Sequence, residues 1–501
     1  MPNPTGVNGR KPSPPDEILR PLVESFVALG YNNPEIEDQL RRGNYYDTRY
    51  YNVSADLLRK KRSQKHWCIL GARGQKHTLQ TLAEPIEGIL LKYPMCGSHK
   101  MKEHLLRHEG VATSRKLILA YMNVFHRELV LARRTRRLIR KVFWAVGVND
   151  IWCFDQHDKW RRFELYLHIG LEPFSGRILW LKIWWTNRNP RRVCSYYLDT
   201  VENLGGVIPV LTQSDHGTEN NGIANAQTVL RHRLDPSLRH SLQHKFKGAK
   251  RNIKPEIAWR LLRQNWVPGF EEVLEFGTHF GLYDPEDILQ RLVFHYVFIP
   301  WLQSELDIYV QDFNYTKGRR NRKKATPHGR PMDIYLDPPK YNSLDFSIKV
   351  PQEYIDDVRQ QFAPPDHHCF ELVPPAFAAK AEDFYSSLIG PRQPRNRDFV
   401  WSIYAELLAF FQSIEVEVGD PLQTEIAEWG AMPAVGEDPE EVMPVLKGLQ
   451  RVPGVGRPYC DDEGSDDEEE IDVEPDYNEF SDGSEDEEID DDGLEEGSES
   501  D

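Results

Sequence analysis

Residues 177–185 set the first limit on what this chain can fold into. Seven of the nine are Ile, Leu or Trp: Ile178, Leu179, Trp180, Leu181, Ile183, Trp184 and Trp185. A run this short, apolar and rich in bulky aromatics predicts a buried strand. Ser175-Gly176, immediately before it, supplies a turn. The turn folds the run back as a hairpin on residues 163–171, which alternate partly and are rich in aromatics. Residues 151–154 are a third, shorter apolar strand ahead of the hairpin. Pro190 opens a helix through residue 201, and Gly205-Gly206 ends it. Residues 207–211 predict a fourth strand, residues 220–233 a helix, and residues 255–264 another helix with Pro255 in its first turn. Strand, strand, strand, helix, strand, helix is a mixed α/β order of the ribonuclease H type.

Three carboxylates fall at informative points of this order. Asp155 ends the first strand, Asp215 follows the fourth, and Glu256 lies in the first turn of the last helix. Phosphodiester cleavage develops negative charge on an attacking and a leaving oxygen, and two divalent ions about 3.5–4 Å apart stabilise both. Hard ions such as Mg²⁺ prefer oxygen ligands. On this reading Asp155 bridges two ions, and Asp215 and Glu256 hold one each. Asp158, three residues after Asp155, is the alternative first carboxylate unless it pairs with Lys159 or Arg161. Glu219 competes with Asp215 from beyond the turn at Gly217. For any single acid a solvated turn or helix-cap carboxylate is the simpler reading; the ordered triple favours metal-dependent phosphoryl transfer.

Charge points the same way. The net charge of −16 conceals an uneven distribution. Residues 461–501 hold 24 Asp and Glu and no Lys or Arg, so the rest of the chain sets 62 basic residues against 54 acidic. Residues 41–150 carry 23 Lys and Arg against 8 Asp and Glu. A basic face suggests a polyanionic partner. Arg133, Arg134, Arg136, Arg137, Arg140 and Lys141 form an acid-free cluster suited to phosphates. Arg319, Arg320, Arg322, Lys323 and Lys324 form a second. The second cluster and Arg59-Lys60-Lys61-Arg62 are also candidate nuclear signals, although such runs are often only solvated helix faces. The six cysteines (68, 96, 153, 194, 369 and 460) form no CxxC pair, which fits reduced intracellular thiols. No apolar run approaches the roughly 18 residues of a membrane helix, and the first residues lack the apolar region of a secretory signal.

Ahead of the carboxylates the chain reads as short helices. Asp16 is placed to cap a helix over 16–29, with Pro34 in the first turn of another. Ser54 and Thr78 are caps for helices over 55–61 and 79–92. Residues 99–108, a Gly-containing turn and residues 115–125 have a helix-turn-helix layout. There Arg115 and Lys116 would open the second helix toward DNA, although a plain helical scaffold has the same layout. Cys96, His99, His104 and His108 lack the usual four-ligand spacing of a zinc site. Cys153 is expected to be a small core residue rather than a nucleophile. Residues 270–308, 376–388 and 398–414 are helical, and the acidic tail cannot bury a core and is expected to be disordered.

The ordered set resembles the integrase core domain proteins of eukaryotes, relatives of retroviral integrases and DDE transposases. It comprises Trp152-Cys153-Phe154-Asp155-Gln156-His157-Asp158-Lys159, Phe174-Ser175-Gly176-Arg177-Ile178-Leu179-Trp180-Leu181, Ser214-Asp215-His216-Gly217-Thr218-Glu219-Asn220, Asn252-Ile253-Lys254-Pro255-Glu256 and Pro327-His328-Gly329-Arg330-Pro331. The resemblance covers residues from about 95 to 335. It implies a ribonuclease H-like α/β core with a mixed five-stranded sheet and flanking helices. It also implies a D, D, E triad of Asp155, Asp215 and Glu256 and a helix-turn-helix near residues 101–122. The spacing from Asp215 to Glu256 is somewhat long for the family and predicts a short insertion at 235–250.

The expected organisation is an N-terminal segment (1–40), a basic helical DNA-binding region (41–149), the catalytic core (150–335), a partly helical region of unknown fold (336–455) and the acidic tail (456–501). The leading expectation is a nuclear, transposon-derived integrase that binds DNA through the basic residues above and Lys254. It would act as a homo-oligomer with two Mg²⁺ or Mn²⁺ ions and no membrane association. The alternatives are a domesticated DNA-binding protein without activity and a chromatin protein whose tail contacts histones or other basic proteins.

Overall fold

The computed structural model describes residues 11–43, 45–64, 67, 69, 75–132, 145–247, 252–318, 326–390, 393–414, 421–431 and 442–451. Its centre is a mixed five-stranded sheet built from β1 (Ile151–His157), β2 (Tyr166–Glu172), β3 (Arg177–Trp184), β4 (Leu211–Asp215) and β5 (His244–Lys247), in the order β3-β2-β1-β4-β5. β1, β2 and β3 pair antiparallel, whereas β4 and β5 continue the sheet in parallel. The β2–β3 hairpin turns at Gly176, whose φ of +81° favours glycine. Glu172, fully buried, stabilises that turn by accepting from the backbone N–H groups of Phe174 and Ser175 at 3.0 and 2.8 Å. The hairpin also depends on Gly170, where a Cβ would lie 2.4 Å from the Trp180 ring.

Alternation of side chains assigns the two faces. Trp152 and Phe154 of β1, with Trp180, point to one face and pack with α8 (Pro190–Asn203), α9 (Asn221–Leu234) and α14 (Gln352–Phe362). Leu167, Ile169, Leu171, Leu181 and Ile183 point to the other. They share a core with α10 (Ile253–Asn265), α11 (Val267–His279) and the long α12 (Ile288–Tyr315). That second core also takes in α4 (Leu79–Lys92), α5 (Ser98–Glu109), α6 (Arg115–Phe125) and the helices α15 (Pro375–Phe384), α16 (Val400–Ser413) and α17 (Pro421–Ala431). Helices before and after the sheet therefore complete one apolar interior with it. α1 (Asp16–Ala28), α2 (Asn33–Arg42) and α3 (Ala55–Arg62) have a small core of their own around Leu19, Val23, Ile36, Leu58 and Trp67. It spans the expected boundary at residue 40. α7 (Arg127–Ala132) follows α6, and α13 (Pro331–Leu336) follows the 326–330 segment.

Several local expectations change. Asp16 is the first residue of α1 rather than its cap; its carboxylate accepts from Trp67 Nε1 at 2.9 Å and pairs with Lys61. β1 runs on to His157, so Asp155 lies within the strand. β2 begins at Tyr166, because Arg161–Phe163 forms a 3₁₀ turn. The expected strand at 207–211 splits at Pro209, which lacks the N–H that a ladder needs. Val207–Ile208 pairs with Ile348–Lys349 in a separate two-stranded sheet, and Leu211–Asp215 enters the main one. The expected insertion at 235–250 contains β5, the fifth strand itself. Ser54 and Thr78 cap their helices as anticipated, each accepting from a backbone N–H three residues on. The acidic tail beyond residue 451 lies outside the described residues.

Candidate active site

β1 and β4 run side by side with Ile151 beside Leu211, Trp152 beside Thr212 and Cys153 beside Gln213. The pairing ends there; Asp155 and Asp215 lie two residues further along their strands, near enough for the charge of Asp215 to act on Asp155. Both then point to the face that α10 covers, since side chains two apart share a face. Asp155 and Asp215 are half-buried, and Glu256, in the first turn of α10, is exposed. The cluster thus opens to solvent at the edge of the core.

α10 is tied to both carboxylate strands at the residue before it begins. Asn252 Nδ2 donates to the carbonyl of Phe154 at 2.8 Å, and Asn252 Oδ1 accepts from Gln213 Nε2 at 3.3 Å. One turn after Glu256, Trp259 Nε1 donates to Asp155 Oδ2 at 3.1 Å. The Trp259 ring stacks on His157 with centroids 4.9 Å apart and planes 17° from parallel. Burial pushes the His157 imidazole down to about 4, helped by Arg263 and Lys159, so it is neutral near pH 7.

Burial pushes the Asp155 carboxyl up to about 8, and the charges of Asp215 and Glu256 add to the rise; the Trp259 hydrogen bond opposes it. Burial raises Asp215 as well. Burial and the mutual repulsion of neighbouring acids hold protons on them in this way. A hard divalent ion with oxygen preference would relieve that repulsion, so the donor set fits such an ion. The three carboxylates do not form a closed single-ion cage, because their oxygens are not all within 4.8 Å of one another.

Asp158, the alternative first carboxylate, is exposed beyond the end of β1 and accepts from Asn187 Nδ2 at 2.7 Å, not from Lys159 or Arg161. Glu219 is buried on a 3₁₀ turn, where it accepts from Gln156 Nε2 and, at 3.2 Å, from Asn220 Nδ2. Asn220 Nδ2 also lies 3.4 Å from Asp215 Oδ1, which links the two acids. Trp259, Asn252, Gln213 and Asn220 were not anticipated. Trp259 alone left a sequence signal, since a residue three after Glu256 shares its helix face.

The anticipated helix-turn-helix layout is present as α5, a turn at Gly110 and α6 capped by Ser114. Arg115 and Lys116 are exposed at the start of α6, and Arg115 Nε donates to Ser98 Oγ at 3.0 Å, linking the two helices. Lys254 lies in the first turn of α10, partly exposed. Arg133, Arg134, Arg136, Arg137, Arg140 and Lys141 lie outside the described residues, as do Arg319, Arg320, Arg322, Lys323 and Lys324. Of the basic run at 59–62, Lys61 pairs with Asp16, and Arg62 donates to Asn33 Oδ1 at 2.6 Å. Cys96, Cys153, Cys194 and Cys369 are buried free thiols. No helix among the described residues is long and apolar enough to cross a membrane.

Residues 142–337 match the family model described as the integrase core domain. Domains of that family generally use divalent metal ions and typically bind DNA. No curated protein matches the chain.

Proposed function

Because the chain carries an integrase core domain, we propose that it is a transposon-derived integrase or transposase-like enzyme. It binds DNA and catalyses metal-dependent phosphodiester cleavage and strand transfer. The observation that carries this reading is the shared register of β1 and β4. It supports Asp155 and Asp215 as neighbours on one face, and Glu256 acts on Asp155 from α10. Asp155, Asp215 and Glu256 would hold two Mg²⁺ or Mn²⁺ ions. Such ions supply charge stabilisation for the attacking and leaving oxygens.

The chain's own residues do the positioning. Trp259 fixes Oδ2 of Asp155 and favours its ionised form, the form a metal needs. Asn252 holds the start of α10 against β1 and β4, which keeps Glu256 in reach of the two aspartates. Lys254, two residues before Glu256, and Arg115 and Lys116 on α6 are suited to phosphate contacts that orient DNA. This chemistry belongs in the nucleus, with a homo-oligomer bringing two DNA ends together.

The test is the purified protein on supercoiled plasmid and on short duplex ends, in Mg²⁺ or Mn²⁺, beside Asp155→Asn. Nicking or joining that disappears in the variant, with DNA affinity retained, is the expected result. Salt-sensitive DNA binding without cleavage by the wild-type protein would replace this reading with a domesticated DNA-binding protein.

A further inference from the structure

Far along the chain from the carboxylates, three potential metal ligands meet between α5 and α12. His104 and His108 are four residues apart on α5, so they project from the same face. Asp312, near the end of α12, reaches them from the other helix. His104 Nδ1 lies 3.0 Å from Asp312 Oδ2, and His108 Nε2 lies 2.8 Å from the same oxygen. Among the described residues this is the one group of three or more His, Cys, Asp or Glu side chains whose donor atoms all lie within 4.8 Å of one another.

Two features distinguish it from an ordinary ion pair. The first is that His104 Nδ1, buried, and His108 Nε2 converge on one and the same oxygen, Oδ2 of Asp312. Two ring nitrogens thus share a single carboxylate oxygen, as they would share a bound cation. The second is that surrounding side chains hold two of the three ligands, Asp312 and His104. Arg107 Nη1 holds the other carboxylate oxygen, Oδ1, at 3.0 Å, and Arg107 is itself paired with Glu103 at 3.0 Å. Tyr93 stacks on the His104 ring, with centroids 4.6 Å apart and planes 18° from parallel. Outer partners that orient imidazole and carboxylate in this way are typical of metal sites.

We propose that His104, His108 and Asp312 form a zinc site that fastens α5 to α12. Zinc takes imidazole nitrogen and carboxylate oxygen at about 2.0–2.2 Å in tetrahedral geometry, which puts neighbouring ligand atoms about 3.3–3.6 Å apart. The observed separations of 2.8 and 3.0 Å need to open by about 0.5 Å, and the two ring nitrogens already lie within 4.8 Å of each other. Two imidazoles and one carboxylate leave the fourth position for water. His108, whose side chain is 37% exposed, marks the side from which ion and water arrive. Lys100, buried in the same pocket, and the absence of a thiolate among the three ligands make binding weaker than in cysteine-rich zinc sites.

The test uses the full chain carrying Asp155→Asn and Asp215→Asn, so that the carboxylate cluster does not compete for metal. After dialysis against a chelator it is titrated with Co²⁺, followed by visible absorption, and then with Zn²⁺. The expected result is one equivalent of Co²⁺ with the intense bands of a four-coordinate site, displaced by Zn²⁺, and a rise in Tm with zinc. His108→Ala, whose fold is checked by circular dichroism, should weaken uptake at least tenfold and abolish the zinc-dependent rise in Tm. If His108→Ala does not fold, Asp312→Asn, which keeps the side-chain shape, is the second variant. No cobalt band in the parent protein overturns the proposal and leaves the three residues as a buried ion-pair network. Equal uptake by the parent and a folded variant overturns it as well.

Discussion

Asp155→Asn should make the metal-free protein more stable while removing the proposed cleavage activity. In the folded chain the Asp155 carboxyl is held up to about 8 by burial and by the charges of Asp215 and Glu256. In the unfolded chain it titrates near its ordinary value of 3.8. A carboxyl raised on folding binds its proton more tightly in the folded state. The wild-type protein therefore loses stability as pH rises from about 4 towards about 8 and changes little above that. Each pH unit in this window is worth about 1.4 kcal/mol, so the whole span is bounded at about 6 kcal/mol. Solvent access at this half-buried group reduces that to ~1–2 kcal/mol. Asparagine removes the charge, keeps the shape and still accepts from Trp259 Nε1. The expected gain is roughly 1–3 °C in Tm at pH 8 in a chelator, shrinking towards nothing near pH 4. Thermal unfolding of both proteins across pH 4–9 measures it. Saturating Mg²⁺ or Mn²⁺ should stabilise the wild type and leave the variant unchanged. A variant no more stable than wild type at pH 8, or a gap that does not vary with pH, would show that Asp155 is not electrostatically strained and would refute the reasoning.

Trp259→Phe keeps a ring against His157 but removes the donor to Asp155. A hydrogen bond to a charged group is worth about 1.5–3 kcal/mol. The acid limb of the cleavage pH profile should therefore move up by ~1–2 pH units; an unmoved limb would exclude Trp259 as a positioning residue. Arg115→Ala with Lys116→Ala should weaken binding to unrelated duplexes alike. It should also reduce the slope of log affinity against log salt by about 2, and an unchanged slope would remove α6 from the DNA surface.

What the sequence disclosed followed physical range. The hairpin of β2 and β3 was legible because its residues are apolar and its turn carries Ser175-Gly176. The acids Asp155, Asp215 and Glu256 were legible as candidates because each sits beside an apolar run or at a helix start. β5 was not, because His244–Lys247 is four residues long and half of it is lysine, so it carries no alternating apolar signal. The strand before Asp215 was misplaced because Val207 to Leu211 reads as one apolar run until Pro209 is asked to donate a hydrogen bond it lacks. Asn252 contacts residues 98 and 39 positions away, and Asp312 meets His108 across 204 positions. Nothing local encodes such partners, because they exist only once the sheet and α12 are in place.

α12 spans 28 residues, about 42 Å of helix. Near its middle, Gln303 bonds the backbone of β3 at Ile183 and Leu181; near its end, Asn314 bonds both backbone groups of Ile178, and Asp312 engages α5. A single helix thus grips the central sheet and α5, the neighbour of the helix that opens with Arg115 and Lys116. Parts joined through one rod cannot drift apart as parts joined by a loose linker can. If α6 does read DNA, the interval between the bases it touches and the bond that is cut is a fixed length, measured out by the protein as by a gauge. Cleavage should then fall at one offset from the recognised sequence instead of over a spread of positions.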